Sequence, residues 1–449
     1  MAMVGFTLRA TRGSRLRRLA LATCGALVFL IPAVGLALLQ LPYDTEYEVI
    51  GYSTSAPNDP VARLQGKIDG GEVELQFDAQ SGYLASLLRH LKIPVSSQIL
   101  VFSDTSFQID LVSPQTPRAI YFNDDVYVAW PQGGSVVEVS AVDRQLGAVF
   151  YTLSQKKSNR PRFERQTHLC LRCHDSYSLT GGGVPRYIMG SGFPDQSGQL
   201  VSHQGWHLTT DQSPLSQRWG GWYVTGTHGN QVHMGNLIAR DAADAASLDL
   251  TGGANLTDLG ELIDTSAYLG KHSDIVALMV IEHQVHVQNL ITRVNYDTRT
   301  ALHNQQMPDK DLGRDSDDPS ASTLKRIETI AEPLLRAMLF VDEAPLSDPI
   351  KGTSGFSAEF VSQGPRDEQG RSLRQLDLNK RLFRYPCSYL IYSEAFDALP
   401  DLTKKYIFER LKEVLDGQDR SEEFAHLSDA DRHAIREILE ETQADFPRQ

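Results

Sequence analysis

Cys170, Cys173 and His174 set two thiols three positions apart with an imidazole directly after the second, in the run Cys170-Leu171-Arg172-Cys173-His174. Three chemistries use such a set. A pair of thiols can exchange with disulfides, thiolates and imidazoles can hold zinc, and two thiols can add across the two vinyl groups of haem while the adjacent imidazole binds the iron. The third gives a reason for the spacing of all three residues. It makes Cys170 and Cys173 covalent anchors and His174 an iron ligand.

The other two chemistries have specific requirements. A thiol-exchange motif belongs between a strand and a helix of a βαβ unit, whereas Asn159 to His168, with Pro161 and several charges, reads as irregular loop. Zinc has four candidate ligands in His168, Cys170, Cys173 and His174, but structural zinc sites usually separate two ligand pairs by a longer loop. A zinc-stabilised module without haem is therefore the alternative to a haem protein.

The pentapeptide resembles the haem-attachment motif of c-type cytochromes. The resemblance covers five residues and implies one covalent haem c, with thioether bonds at Cys170 and Cys173 and His174 as the proximal ligand. Small cytochromes c are helical and carry the motif near the start of the domain; here it lies deep in a large chain. They usually supply a methionine downstream as the sixth ligand, and Met234 has that spacing from His174. The candidates for that position are His283, Met234, His233, His228 and Met189, in that order, with an open sixth position as the remaining case. Two axial ligands make an electron carrier, whereas an open distal side makes an enzyme acting on a small oxidant or a nitrogen or sulfur compound. Arg186, just beyond the run Gly181-Gly182-Gly183, is the candidate partner of a haem propionate.

The elements that must position these residues begin with a membrane segment. Arg9, Arg12, Arg15, Arg17 and Arg18 precede an uncharged apolar run from Leu19 to Leu41, long enough to cross a bilayer with its amino end in the cytoplasm. No A-x-A cleavage pattern follows, so the expectation is an uncleaved anchor in the inner membrane with the bulk of the chain in the periplasm. That placement agrees with attachment of haem outside the cytoplasm, which the resemblance implies. Besides the motif the thiols are Cys24, within the anchor, and Cys387, so no disulfide framework is available.

The chain has 449 residues, 43 Lys and Arg against 56 Asp and Glu, and a formal charge of −13. Nucleic-acid binding is disfavoured by that balance, and a redox partner with a basic docking surface would be steered toward it.

Residues 43–64, with Pro57, Asp59 and Pro60, read as a spacer from the membrane. A β-rich region at 65–160 opens on a short helix near Gly82 to Leu91, and alternation then predicts strands at Ile99–Phe102, Phe107–Val112, Ala119–Phe122, Val126–Trp130, Val136–Val142 and Ala148–Leu153. The haem-binding region spans 161–305. It contains a hairpin expected around His228-Gly229-Asn230, which would point His233 and Met234 to opposite faces. Trp206, Trp219, Trp222 and Tyr223 read as ordinary core before haem wall. The clearest helix runs from Asp274 to about His303, with Val276, Val280, His283, Val287, Leu290, Ile291 and Val294 on one face, His286 at its edge and Glu282 opposite. An acidic linker at 306–322 leads to a helical region at 323–449. The fold class is α+β: a β-rich first part, a mainly helical second part and an N-terminal transmembrane helix.

Overall fold

Alternation between Ile99 and Ser154 does produce a sheet. The computed structural model describes residues 45–176, 183–201, 206–311 and 318–448, so the arginine-rich end and the apolar run from Leu19 to Leu41 lie outside the described residues. Strands β1 (Ile99–Val101), β2 (Arg118–Phe122), β3 (Val126–Trp130), β4 (Val136–Asp143), β5 (Gly147–Ser154) and β6 (Phe163–Arg165) pair antiparallel in sequence order. A distant strand, β7 (Trp222–Tyr223), adds to the free edge of β1.

The turns follow their residues. Asn123 Oδ1 accepts from the backbone N–H groups of Asp125 and Val126 and closes the β2–β3 turn. Gly147 opens β5 at φ +68, and a Cβ there would lie 2.2 Å from Thr292 Cγ2. Glycine is needed twice at that position, for the left-handed backbone and for the close approach of a helix.

Alternate residues divide the sheet into two faces. Leu100, Ala119, Tyr121, Val139, Val149 and Tyr151 join one buried cluster with α1 (Pro60–Asp69) and α2 (Leu84–His90). Ile99, Val101, Phe122, Tyr127 and Val142 face the other way and join a second cluster. Its centre is a long helix. Between the sheet and that helix comes a single helical turn, α3 (Leu171–His174), then α4 (Ile275–Asp311), α5 (Ala321–Met338), α6 (Asp401–Leu415) and α7 (Asp429–Thr442). The described chain is thus β-rich in its first part and helical in its second. Among the described residues no helix is long and apolar enough to cross a membrane.

Helix starts obey local chemistry. Asp274 caps α4, its Oδ1 accepting from Val276 N and Ala277 N while its Oδ2 accepts from Thr353 N and Ser354 N. Ser428 and Asp431 form a reciprocal capping box at α7.

Four expectations need correction. The stretch 43–64 is not a plain spacer, because Ile50 and Tyr52 are buried in the core, and Asp59-Pro60 is a helix start with a capping carboxylate and a first-turn proline. Phe107–Val112 is not a strand. Gln108 occupies the place of a ladder residue with its side chain, donating to Val136 O and accepting from Val136 N, and the chain around it makes a 3-10 turn at Ile109–Leu111. No hairpin forms around His228-Gly229-Asn230; Gly226 and Thr227 pair with Gly352 and Lys351, so His233 and Met234 are not strand neighbours. Finally, α4 extends to Asp311, into the stretch 306–322 read as linker.

Candidate haem-binding site

The CxxCH run folds as one turn of helix, with the N–H groups of Cys173 and His174 both donating to Cys170 O. A spacing of three residues places both thiols on one side of that turn. Cys170 is half-buried, Cys173 is exposed, and neither is in a disulfide. Burial, with the charges of Glu138 and Cys173, pushes the Cys170 thiol up to about 12. An exchange thiol works through a lowered pKa, so the site lacks the electrostatics of disulfide exchange. Among the described residues no three His, Cys, Asp or Glu side chains gather as a metal cage, which removes geometric support from the four-ligand zinc arrangement.

His174 is held in a defined orientation. Its Nδ1 lies 2.6 Å from Arg186 O, while Arg186 N donates to His174 O at 3.0 Å. A carbonyl oxygen only accepts, so Nδ1 carries the proton and Nε2 keeps its lone pair. Burial lowers the His174 pKa and favours the neutral ring. The ring rests on Phe150, centroid to centroid 4.4 Å. A carbonyl that holds Nδ1–H in this way fixes the ring and leaves Nε2 as the atom that could act as a donor to a metal.

The clip is itself anchored. Asn289, on α4, accepts from Tyr187 N at 2.8 Å and donates to Tyr187 O at 2.9 Å. The Tyr187 ring lies against Tyr127, and Ser140 Oγ donates to its hydroxyl. Sheet, clip and helix therefore meet behind His174. Replacing Asn289 by Ala should cost about 1–3 kcal/mol, because two partly buried backbone groups lose their partner. Urea denaturation measures the loss, and faster amide exchange at Tyr187 would localise it; unchanged exchange would show that the clip does not depend on α4.

In front of the motif lies a row of side chains that crosses the sheet. Ile120, Ala129, Glu138, Thr152 and Glu164 are successive cross-strand partners on β2 to β6 and share a face with Phe150. Ile120, Ala129 and Glu138 remain partly exposed, unlike the neighbouring row Phe122, Tyr127, Ser140 and Phe150. Two thiols on one side of a turn, an imidazole with its outer nitrogen available and a partly exposed strip of the same sheet are compatible with a flat covalent cofactor.

Of the other predicted residues, Arg186 lies beside the motif, its pKa pushed down to about 10 by burial and by Arg293, against Asp175 and Asp297. Ser178 to Gly182 lie outside the described residues. His283 is taken out of the sixth-ligand list. Its ring is fully buried, with Nδ1 2.9 Å from Asp211 Oδ2 and Nε2 2.8 Å from Ser388 Oγ, so both nitrogens are engaged. Periodicity located it correctly inside the helix packing, but both partners come from distant stretches. Met234 is buried, its sulfur 3.5 Å from Ser191 Oγ, while Trp219 and Trp222 lie in the second core cluster, as expected. Met189 is buried in the same cluster. His228 and His233 are buried together, rings 4.8 Å apart, with His228 Nε2 accepting from Asn255 N.

Sequence reading missed a polar network inside the helical part. Asp211 accepts from His283 through one oxygen and from His286, at 3.0 Å, through the other. Burial raises the Asp211 pKa, but the two histidine hydrogen bonds outweigh it and hold the carboxyl well below its usual range. Beside it Arg218 pairs with Glu282, whose carboxyl burial pushes up to about 7. The Ser388–His283–Asp211 wiring matches that of a nucleophilic serine. Ser388 and His283 are fully enclosed, however, and a nucleophile must meet its substrate; the network joins segments rather than reacting.

No family model, curated protein or solved structure matches the chain.

Proposed function

We propose that the chain is a membrane-anchored, periplasmic monohaem c-type cytochrome that transfers single electrons. The observation that carries this reading is His174, held by Arg186 O so that Nε2 is the ligating atom, next to two thiols on the same helical turn. Cys170 and Cys173 would each add across one vinyl group: sulfur bonds to one carbon, the thiol hydrogen goes to the other, and nothing leaves. Bound haem supplies reversible one-electron exchange at iron. His174 fixes the proximal side, Phe150 supports its ring, and the Arg186 carbonyl keeps the proton on Nδ1. The apolar run Leu19–Leu41 would serve as the single-pass anchor, and the acidic surplus of the chain would favour a partner with a basic docking face.

A second reading has one observation in its favour. His283, Met234, His228 and His233 make hydrogen bonds or ring contacts with residues outside the motif, and Met189 packs in the core. An open sixth position would make the protein a haem enzyme acting on a small oxidant or a nitrogen or sulfur compound.

The deciding experiment is a visible spectrum, oxidised and reduced, of protein expressed with a haem-attachment apparatus, repeated after denaturation. Low-spin bands that stay with the denatured chain are the expected result. Retained haem with high-spin bands that shift with cyanide would favour the enzyme. A colourless protein would overturn both and make zinc analysis the next step.

A further inference from the structure

Arg118 stands on β2 next to Ile120, on the sheet face that carries the partly uncovered row, and is about nine-tenths buried. Both of its terminal nitrogens are engaged. Nη1 donates to Glu138 Oε2 at 2.8 Å, and Nη2 donates to Thr105 O at 3.3 Å and Thr105 Oγ1 at 3.4 Å. Its Nε has no partner. A guanidinium presents donors along two edges, and in a buried setting each is normally matched. Glu138 does not meet this need, because its oxygens are already taken: Oε2 by Arg118 Nη1, and Oε1 by Ser106 Oγ at 2.5 Å and Gln108 Nε2 at 3.0 Å.

The surroundings point to what the free edge is for. The charges of Arg118 and Glu138 both reach the His174 ring, and that of Glu138 reaches Cys170. The pair therefore lies near the motif, on the face of the sheet that Phe150 shares with His174. Gln108, which grips Glu138, is flanked by Phe107 and Ile109, 45% and 46% exposed, while Leu169 next to Cys170 is 40% exposed. Exposed apolar side chains on the turn that grips Glu138 and beside Cys170, together with a buried cation, suit a ligand that is flat, apolar over most of its area and anionic at one edge. Haem has that character, with two carboxylates on one edge.

Resting on the function proposed above, we propose that Arg118 holds a haem propionate through its free Nε edge, with Ile120 and Ala129 beneath the ring and Phe107 and Ile109 along its outer side. The assignment gives the propionate to a cation of the sheet instead of Arg186. A guanidinium can serve two carboxylates from two edges, so the Glu138 pair persists when the propionate is held.

The test uses the full-length holoprotein and compares Arg118→Gln, Glu138→Gln, Arg186→Gln and the double variant Arg118→Gln/Glu138→Gln. The double variant is included because Arg118→Gln alone leaves Glu138 unpaired and can fail to fold. Resonance Raman bands of the propionates should shift in Arg118→Gln and in the double variant and stay in place in Arg186→Gln. In a redox titration Arg118→Gln should lower the ratio of reduced to oxidised haem at a fixed potential about tenfold, a change of about 59 mV for one electron. Unshifted propionate bands in a double variant that keeps its covalent haem overturn the assignment. Absence of covalent haem from the unaltered protein overturns instead the reading on which it rests.

Discussion

The double variant Cys170→Ala/Cys173→Ala should carry no haem that survives denaturation, whereas each single variant should keep a reduced covalent fraction. On the proposed function each thiol would make its own carbon–sulfur bond, so one bond remains possible until both sulfurs are gone. The fold should hardly notice. Cys173 is exposed and Cys170 half-buried, neither closes a disulfide, and substitutions at such positions usually change stability by about 0.5 kcal/mol or less. A variant with unchanged circular dichroism and thermal midpoint but no covalent haem would separate attachment from folding. The zinc alternative expects the opposite, since removing two ligands of a structural ion removes folding free energy. Loss of the folded state together with a metal, from a protein that was never red, would decide for zinc.

Asp211→Asn should destabilise the protein by about 3 kcal/mol at neutral pH, the magnitude expected when one member of a buried charged network is removed. The buried carboxylate accepts one proton-bearing nitrogen at each oxygen, from His283 and from His286. An amide offers one acceptor and one donor, so one histidine N–H would face an NH2 group. Ser388, which bonds the far side of His283, would lose its alignment too. The pH dependence has a definite sign. The native pKa of Asp211 is depressed, so its contribution is complete above the unfolded value of about 4 and disappears as pH falls below it. The stability gap between wild type and variant should therefore be constant from about pH 5 upward and narrow below about pH 4. The His283 pKa is also depressed, by burial, so the unfolded chain takes up that proton first and wild-type stability already declines as pH drops below about 6.5. Urea denaturation at several pH values measures both effects. A gap under about 1 kcal/mol, or one that widens in acid, would contradict this account.

The site was legible where its chemistry is local. Two thiols and an imidazole within five residues declare themselves, and so do Asn123 in a turn, Ser428 before α7 and the alternation of β3, because each depends on a few neighbouring residues. Function beyond that depended on contacts across the chain. His283 was placed inside the helix packing by its period, but only the fold shows that Asp211 and Ser388 use both its nitrogens. Glu282 was read as lying opposite the apolar face; α4 is enclosed all round at its amino half, so Arg218 meets it there. Phe107–Val112 had the composition of a strand, yet Gln108 replaces a ladder with its own amide. Arg118 carried no local signal at all. Its meaning depends on an unpaired nitrogen and on Glu138 two strands away.

The pairing of β7 with β1 bears on when a cofactor can be joined to the chain. Residues before the motif supply β1 to β6, while β7 and α4 come from well after it, so the motif lies inside the loop that β7 closes. Contacts close in sequence form before those that close long loops. The turn at Cys170 to His174 and its clip to Arg186 are near neighbours, whereas the backing from α4 arrives from a distant stretch. A chain emerging amino end first therefore shows both sulfurs on a nearly finished sheet before the last helices dock. If the chain carries the proposed haem, that interval is the natural time for attachment, and its length is set by how quickly α4 reaches Tyr187.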